Sequence, residues 1–219
     1  MTIAAYVFDA YGTLFDVHSA VRRHAEAVGP DAAWLSEVWR AKQLEYSWVR
    51  ALTGRYRPFS ALTEEALDFA LAAVPGANRA ARTDLLDAYL ALDAYPEVPD
   101  VLRTLKERGH RTAILSNGSP DMLDPVVERG GLTGLLDAVV SVDVLGTFKT
   151  EPRVYAHACE RLGVAPAEVS FQSSNRWDIA GATAFGHHTV WVNRTGAPDE
   201  YADLPPAMVV GDLRALVSA

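Results

Sequence analysis

Six short runs of continuous apolar or β-branched residues recur along the chain, at 4–10 (AAYVFDA), 111–117 (RTAILSN), 138–143 (AVVSVD), 168–175 (EVSFQSSN), 188–193 (HTVWVN) and 207–212 (AMVVGD). Hydrophobicity in them is continuous rather than alternating, as expected of strands covered on both faces in a parallel sheet between helices. The intervening SPDMLDPVVERGG, EPRVYAHACERLG and DIAGATAFG have helical spacing, with Gly130, Gly163 and Gly186 placed as C-terminal stops. This alternation predicts an α/β fold built on a parallel sheet.

Between Asp16 and Tyr95 the pattern changes. SAVRRHAEAVG, DAAWLSEVWRAKQLEYSWVRALTG, TEEALDFALAAVPG and RAARTDLLDAYLAL space their apolar residues helically, and no convincing strand separates them. A helical cap domain, residues 16–95, is therefore expected to interrupt a core formed by residues 1–15 and 96–219, the chain returning through AYPEVPDVLRTLKERGH. No internal repeat or low-complexity segment is visible.

With 219 residues, 49% hydrophobic and 22% charged, the chain is long and apolar enough for a sizeable core. The net charge of -8 argues against non-specific binding to nucleic acid or an anionic membrane, yet leaves room for a small anionic substrate in a locally positive pocket. Cys159 is the single cysteine, so it forms no internal disulfide; its helical context reads as a buried small hydrophobe. No uncharged apolar run approaches the ~18 residues needed to span a bilayer, and no basic region followed by a long apolar stretch opens the chain, so the cytoplasm is the expected compartment.

In open parallel sheets the ligand crevice lies at the carboxyl ends of the strands, where strand order reverses. The candidate reactive groups fall at such places: Asp9 and Thr13; Ser116 and Asn117; Lys149; and Ser173, Asn175 and Asp178. Considered alone, an aspartate before a glycine turn is either a turn-forming residue or a nucleophile, since an ordinary carboxylate is ionised at neutral pH.

FDAYGTLFD, ILSNGSPDML, FKTEPRVY and FQSSNRWD, in that order, resemble the four motifs of the haloacid dehalogenase superfamily. The tyrosine of DAYGT, the SSNRWD form of the last motif and the segment VWRAKQLEYSWVRALTGRY are similar to its L-2-haloacid dehalogenases of type II. The resemblance implies a Rossmann-like core with an inserted helical cap. It also implies hydrolytic dehalogenation of small L-2-haloalkanoic acids to D-2-hydroxy acids, through a covalent ester on Asp9. Metal-dependent phosphatases of the superfamily usually place a second aspartate where this chain has Tyr11, and Asp178 is the only acid in the last motif. A hard divalent cation is thus poorly provided for, and neither metal nor other cofactor is expected.

Further roles follow from the resemblance. It places Arg40 on the cap over the nucleophile, a permanent cation for the leaving halide, with Asn175 as a second donor. Tyr11, Leu44, Phe59 and Trp177 would wall the alkyl part of the substrate. Ser116, and less directly Asn117, would hold its carboxylate; Lys149 would keep Asp9 ionised and in place. Thr13 and Ser173 would orient Asp9 and Lys149, Tyr155 would contact the same network, and Asp178 would activate water or support that step. The small haloacid is the expected partner, with a homodimer through SEVWRAKQLEYSWVR also in keeping with the family. One departure is Thr150, where relatives commonly carry proline directly after the lysine. His18, His187 and His188 read as surface or structural residues, His18 lying near the mouth of the site. The rival readings are a metal-dependent phosphatase on the same fold and a non-catalytic phosphoacceptor domain, the latter disfavoured by the inserted helices.

Overall fold

The computed structural model describes residues 2–218. Each apolar run forms a strand: β1 Ala5–Phe8, β2 Arg111–Ser116, β3 Ala138–Ser141, β4 Val169–Ser173, β5 His188–Val192 and β6 Met208–Val210. They make one parallel sheet in the order β3-β2-β1-β4-β5-β6. All of β4 and all of β2 after Arg111 is buried, as continuous apolar runs require; the edge strand β6 leaves Met208 and Val209 exposed. The chain builds outward from β1 through β2 to β3, then crosses back to lay β4 on the other side of β1. Connections departing in opposite directions from β1 and β4 open a crevice at their carboxyl ends. In register, Phe8 lies between Ile114 of β2 and Gln172 of β4, so Asp9 leaves the sheet level with the ends of both neighbours.

Helices α6 Val98–Glu107, α7 Pro120–Arg129, α8 Pro152–Leu162 and α9 Arg176–Phe185 cover the sheet. Gly163 and Gly186 end α8 and α9 in left-handed conformations, as expected. Gly130 does not: its φ is -73°, and Gly131 at +68° takes the left-handed turn. Gly130 is instead a close-approach residue, since a Cβ there would come within 2.8 Å of the Phe15 ring.

The helices inserted between β1 and β2 form the cap: α1 Ser19–Arg23, α2 Ala25–Val28, α3 Ala32–Thr53, α4 Phe59–Ala73 and α5 Arg82–Tyr89. The single helix expected over SAVRRHAEAVG is broken at His24, and α4 begins at Phe59, ahead of the expected start, with Pro58 O accepting from Leu62 N at 3.2 Å to open its first turn. Leu35 and Trp39 of α3 and Leu62, Ala66 and Ala70 of α4 are all buried, and Trp39 Nε1 joins the two helices by donating to Thr63 O at 2.9 Å.

The two passages between cap and core run side by side. Asp16 N donates to Asp93 O at 2.8 Å and Tyr95 N to Leu14 O at 2.9 Å. Arg194, just past β5, fastens them: it donates to Thr13 O at 2.9 Å, pairs with Glu97 at 2.7 Å and lies 3.7 Å over the Tyr95 ring. Among the described residues no helix is long and apolar enough to cross a membrane.

Candidate active site

Asp9 follows β1 directly, its backbone N–H tied to Gln172 O at 2.9 Å, and the residue is only 5% exposed. Three donors converge on the carboxylate. Thr13 Oγ1, at 3.0 Å, and Asn175 Nδ2, at 2.8 Å, reach Oδ2, while Lys149 Nζ reaches Oδ1 at 3.0 Å. Thr13 returns over Asp9 because the chain turns tightly there, Leu14 N and Phe15 N both bonding to Ala10 O.

Lys149 is fully buried and bridges two carboxylates, its second contact being Asp178 Oδ2 at 2.7 Å. Burial works against its charge, but Asp178 and Asp9 outweigh it and hold the ammonium above its ordinary pKa. The Phe171 ring lies 5.1 Å beneath Nζ, a further stabilising face. Asn117 Oδ1 accepts from Lys149 N at 2.9 Å; Asn117 thus fixes the lysine loop as well as bordering the crevice. The Lys149–Thr150 peptide is cis, and the proline of this motif, Pro152, opens α8.

Asp178, in the first turn of α9, is wholly buried between Lys149 and Tyr155, whose Oη donates to Oδ1 at 2.9 Å. Burial raises its pKa to about 6, with Asp9 adding repulsion and Lys149 opposing. Burial and Asp178 push the Tyr155 hydroxyl well above its usual range, so it remains a donor. Gly181 makes this packing possible: a Cβ there would sit 2.5 Å from Tyr155 Oη and 2.8 Å from Thr150.

Ser173 departs from its expected part. Its hydroxyl accepts from Asn175 N at 3.1 Å, while the Lys149 ammonium is held by the two aspartates; Ser173 shapes the loop that carries Asn175. Ser174, a residue without an expected part, donates its backbone N–H to Thr13 Oγ1 at 2.9 Å and its hydroxyl to Gly12 O, tying the first and last motifs together. Ser116 Oγ accepts from Gly118 N at 3.1 Å at the end of β2.

From the cap, Arg40 extends its guanidinium into this cluster. Nη2 donates to Tyr11 O at 3.3 Å and Asn175 Oδ1 at 3.4 Å, and Nη1 to Gln43 Oε1 at 2.8 Å. The Tyr11 ring stacks on Tyr89 at 5.7 Å and tilts against Phe59 at 6.3 Å, while its buried hydroxyl has no partner among the described residues. Gly118 accommodates that ring, since a Cβ there would lie 2.7 Å from it. Trp177 meets Trp48 of the cap edge-to-face at 5.6 Å, and Leu44 is half-buried on the same helix as Arg40. Of the expected wall, Tyr11 and Phe59 adjoin directly; Trp177 is engaged with Trp48.

The histidines stand outside this cluster. His18 Nδ1 bonds Ser36 Oγ at 2.7 Å, and buried His187 bonds Pro166 O at 2.9 Å, its pKa lowered by burial. Cys159 is buried and its thiol is pushed up to about 11, far from a reactive thiolate. Among the described residues no group of three or more His, Cys, Asp and Glu side chains is arranged to share a metal ion; the place between Asp9 and Asp178 is taken by the Lys149 ammonium.

A crevice at the β1/β4 switch point, an aspartate at its floor and a helical cap above it make this a capped, Rossmann-like α/β protein. Residues 3–186 match the family model described as haloacid dehalogenase-like hydrolase. The chain is 52% identical to "(S)-2-haloacid dehalogenase 1" of Pseudomonas sp. (strain CBS-3), covering 93% of this chain and 90% of that protein. It is 48% identical to "(S)-2-haloacid dehalogenase 4A" of Burkholderia cepacia, covering 98% and 94%. A solved L-2-haloacid dehalogenase from Xanthobacter autotrophicus with chloropropionic acid covalently bound superposes with a TM-score of 0.89, at 40% identity, over 99% of this chain and 97% of that one. The chain is thus an enzyme belonging to the haloacid dehalogenase-like hydrolases, and among them to the L-2-haloacid dehalogenase subfamily.

Proposed function

We propose that the enzyme hydrolyses small L-2-haloalkanoic acids to D-2-hydroxy acids and halide, with Asp9 as nucleophile and no metal or other cofactor. The observation that carries this reading is the meeting of Arg40 with Asn175 beside the Asp9 carboxylate. A halide leaving group takes no proton but needs a cation where its charge develops. Arg40 Nη2 is held only by long hydrogen bonds, at 3.3 and 3.4 Å, so that edge of the guanidinium is open to an arriving anion.

Asp9 Oδ1, with one donor against two on Oδ2, keeps the freer lone pair for attack on C2. Displacement from the face opposite the halide inverts that carbon and leaves an ester on Asp9, with the departing halide received by Arg40 and Asn175. Water then attacks the carbonyl carbon of this aspartyl ester. The donors on Oδ2, Thr13 and Asn175, stabilise the oxygen that takes up negative charge, and Asp178 accepts the water's proton directly or supports the group that does. Collapse of that intermediate releases the hydroxy acid and restores Asp9. Lys149 keeps the carboxylates paired and Tyr155 positions Asp178. Ser116, whose hydroxyl hydrogen is not used by Gly118, donates to the substrate carboxylate, with Asn117 beside it. Tyr11, Phe59, Leu44 and Trp177 exclude water from the alkyl side.

The test is halide release from L-2-chloropropionate by chelator-treated enzyme, with chiral analysis of the product. D-lactate with undiminished rate is expected; no release across a panel of L-2-haloacids, with magnesium-restored phosphatase activity, overturns the proposal. We further propose a cytoplasmic homodimer through α3, where Val49 and Leu52 are exposed; sedimentation at micromolar concentration showing only monomer excludes the dimer.

A further inference from the structure

Gln43 is 1% exposed and lies one turn after Arg40 on α3, and of its hydrogen-bond partners among the described residues, Arg40, Thr63 and Tyr89, only Arg40 has been assigned a part in the reaction. Its side chain is nonetheless completely specified. Thr63 Oγ1 donates its only hydrogen to Phe59 O at 2.8 Å, so toward Gln43, 2.7 Å away, it can only accept. The Gln43 atom facing Thr63 must therefore be the amide nitrogen, and the carbonyl oxygen must point the other way. There it receives Arg40 Nη1 at 2.8 Å and Tyr89 Oη at 3.2 Å. Trp39 Nε1, bonded to Thr63 O at 2.9 Å, fixes the same turn of α4.

The acceptor that aims Arg40 is consequently neutral and cannot turn over. A carboxylate would orient the guanidinium equally well but would cancel much of its charge, where a half-buried cation needs its full field to receive an anion. We propose that Gln43 is a positioning residue for carbon–halide cleavage: a rotationally locked neutral acceptor that holds the Arg40 guanidinium toward Asn175 while leaving its charge unspent for the leaving halide. This deepens the halide role assigned to Arg40 above and rests on that reading.

The role separates from packing by its dependence on the leaving group. Chloride, the poorer leaving group, relies more on external stabilisation than iodide. Gln43→Glu preserves shape and adds a charge beside Arg40; Gln43→Met preserves volume and removes the acceptor; Thr63→Val unlocks the amide. Single-turnover halide release should fall at least about tenfold in Gln43→Glu with the 2-chloro acid, one charge-stabilising donor being worth about a hundredfold or more in rate. The loss should be clearly smaller with the 2-iodo acid, and Gln43→Met and Thr63→Val should show the same ordering with lesser losses. Hydrolysis of the preformed ester, measured in the same experiment, should change little. Equal losses with both halogens, or a Gln43→Glu rate within twofold of wild type, overturns the inference while wild-type turnover leaves the proposed function standing. A wild type that releases no halide from either acid overturns the function itself.

Discussion

Replacing Lys149 by methionine keeps the length of the side chain and removes the one cation between two buried carboxylates. The ammonium lies 3.0 Å from Asp9 and 2.7 Å from Asp178, with side-chain exposures of 0%, 7% and 0% for the lysine and the two acids. At an effective dielectric of about 20 each contact represents roughly 5–6 kcal/mol of gross attraction, most of it offset by the cost of taking three charges out of water. Removing one member leaves that cost uncompensated, so the expected loss of stability is about 3–5 kcal/mol where both acids must be ionised. The pH dependence has a definite sign. Burial already holds Asp178 at about 6, so its contribution to stability, full below the ordinary aspartate range, is lost as pH rises through about 6. Without Lys149 that pKa moves higher still, and the variant goes on losing stability over a range in which the wild type has levelled off. Urea unfolding at pH 5 and pH 8, followed by the fluorescence of the five tryptophans, measures this directly. The gap between variant and wild type should be wider at pH 8 by about 1.4 kcal/mol for each unit that the Asp178 pKa rises. A gap of equal size at the two pH values, or one under about 1 kcal/mol at pH 8, refutes the bridging role of Lys149.

Further outcomes are expected from the same geometry. In isotopically labelled water with enzyme in excess, label should enter Asp9 before product, and Asp9→Asn should be inactive; label passing straight to product would make Asp9 a base instead. Arg40→Ala should lower the rate of halide release by about a hundredfold or more while leaving thermal stability nearly unchanged; a wild-type rate ends its halide role. If ionised Asp178 serves ester hydrolysis, that step should gain rate as pH rises through about 6, and Asp178→Asn should accumulate the ester, detectable by mass. Gly181→Ala should cost about 1–3 kcal/mol and shift this limb, because its methyl group displaces Tyr155 from Asp178; an unchanged melting temperature and pH profile would contradict that packing.

Much of this architecture was legible because the central strands are buried on both faces and so announce themselves as uninterrupted apolar runs, and because helical periodicity in residues 31–54 and 63–76 is long enough to be unmistakable. The strand-end acids and hydroxyls could be named for the same reason: whatever follows a buried strand in a parallel sheet stands at the crevice. Less legible were features set by contact across long sequence separation. Ser173 and Ser174 are chemically identical neighbours, and only the meeting of the last motif with Thr13 decides which of them ties the two loops together. Gly130 looked like a helix stop; the Phe15 ring that excludes a side chain there comes from the first motif. Gln43 carried one local signal, its place one turn from Arg40, but Tyr89, 46 residues away, carried none.

The adjacency of the two strands joining cap to core, stitched by Asp16–Asp93 and Leu14–Tyr95 and fastened by Arg194, has an architectural consequence. To the sheet, the whole helical insertion begins and ends at one point, so it occupies the place of a short loop. In the proposed reaction Asp9, Lys149, Asp178 and Asn175 belong to the frame, whereas Arg40, with Gln43 aiming it, and Phe59 arrive on the insertion. A different insertion spliced at the same doorway would thus present the same aspartate beneath a different roof.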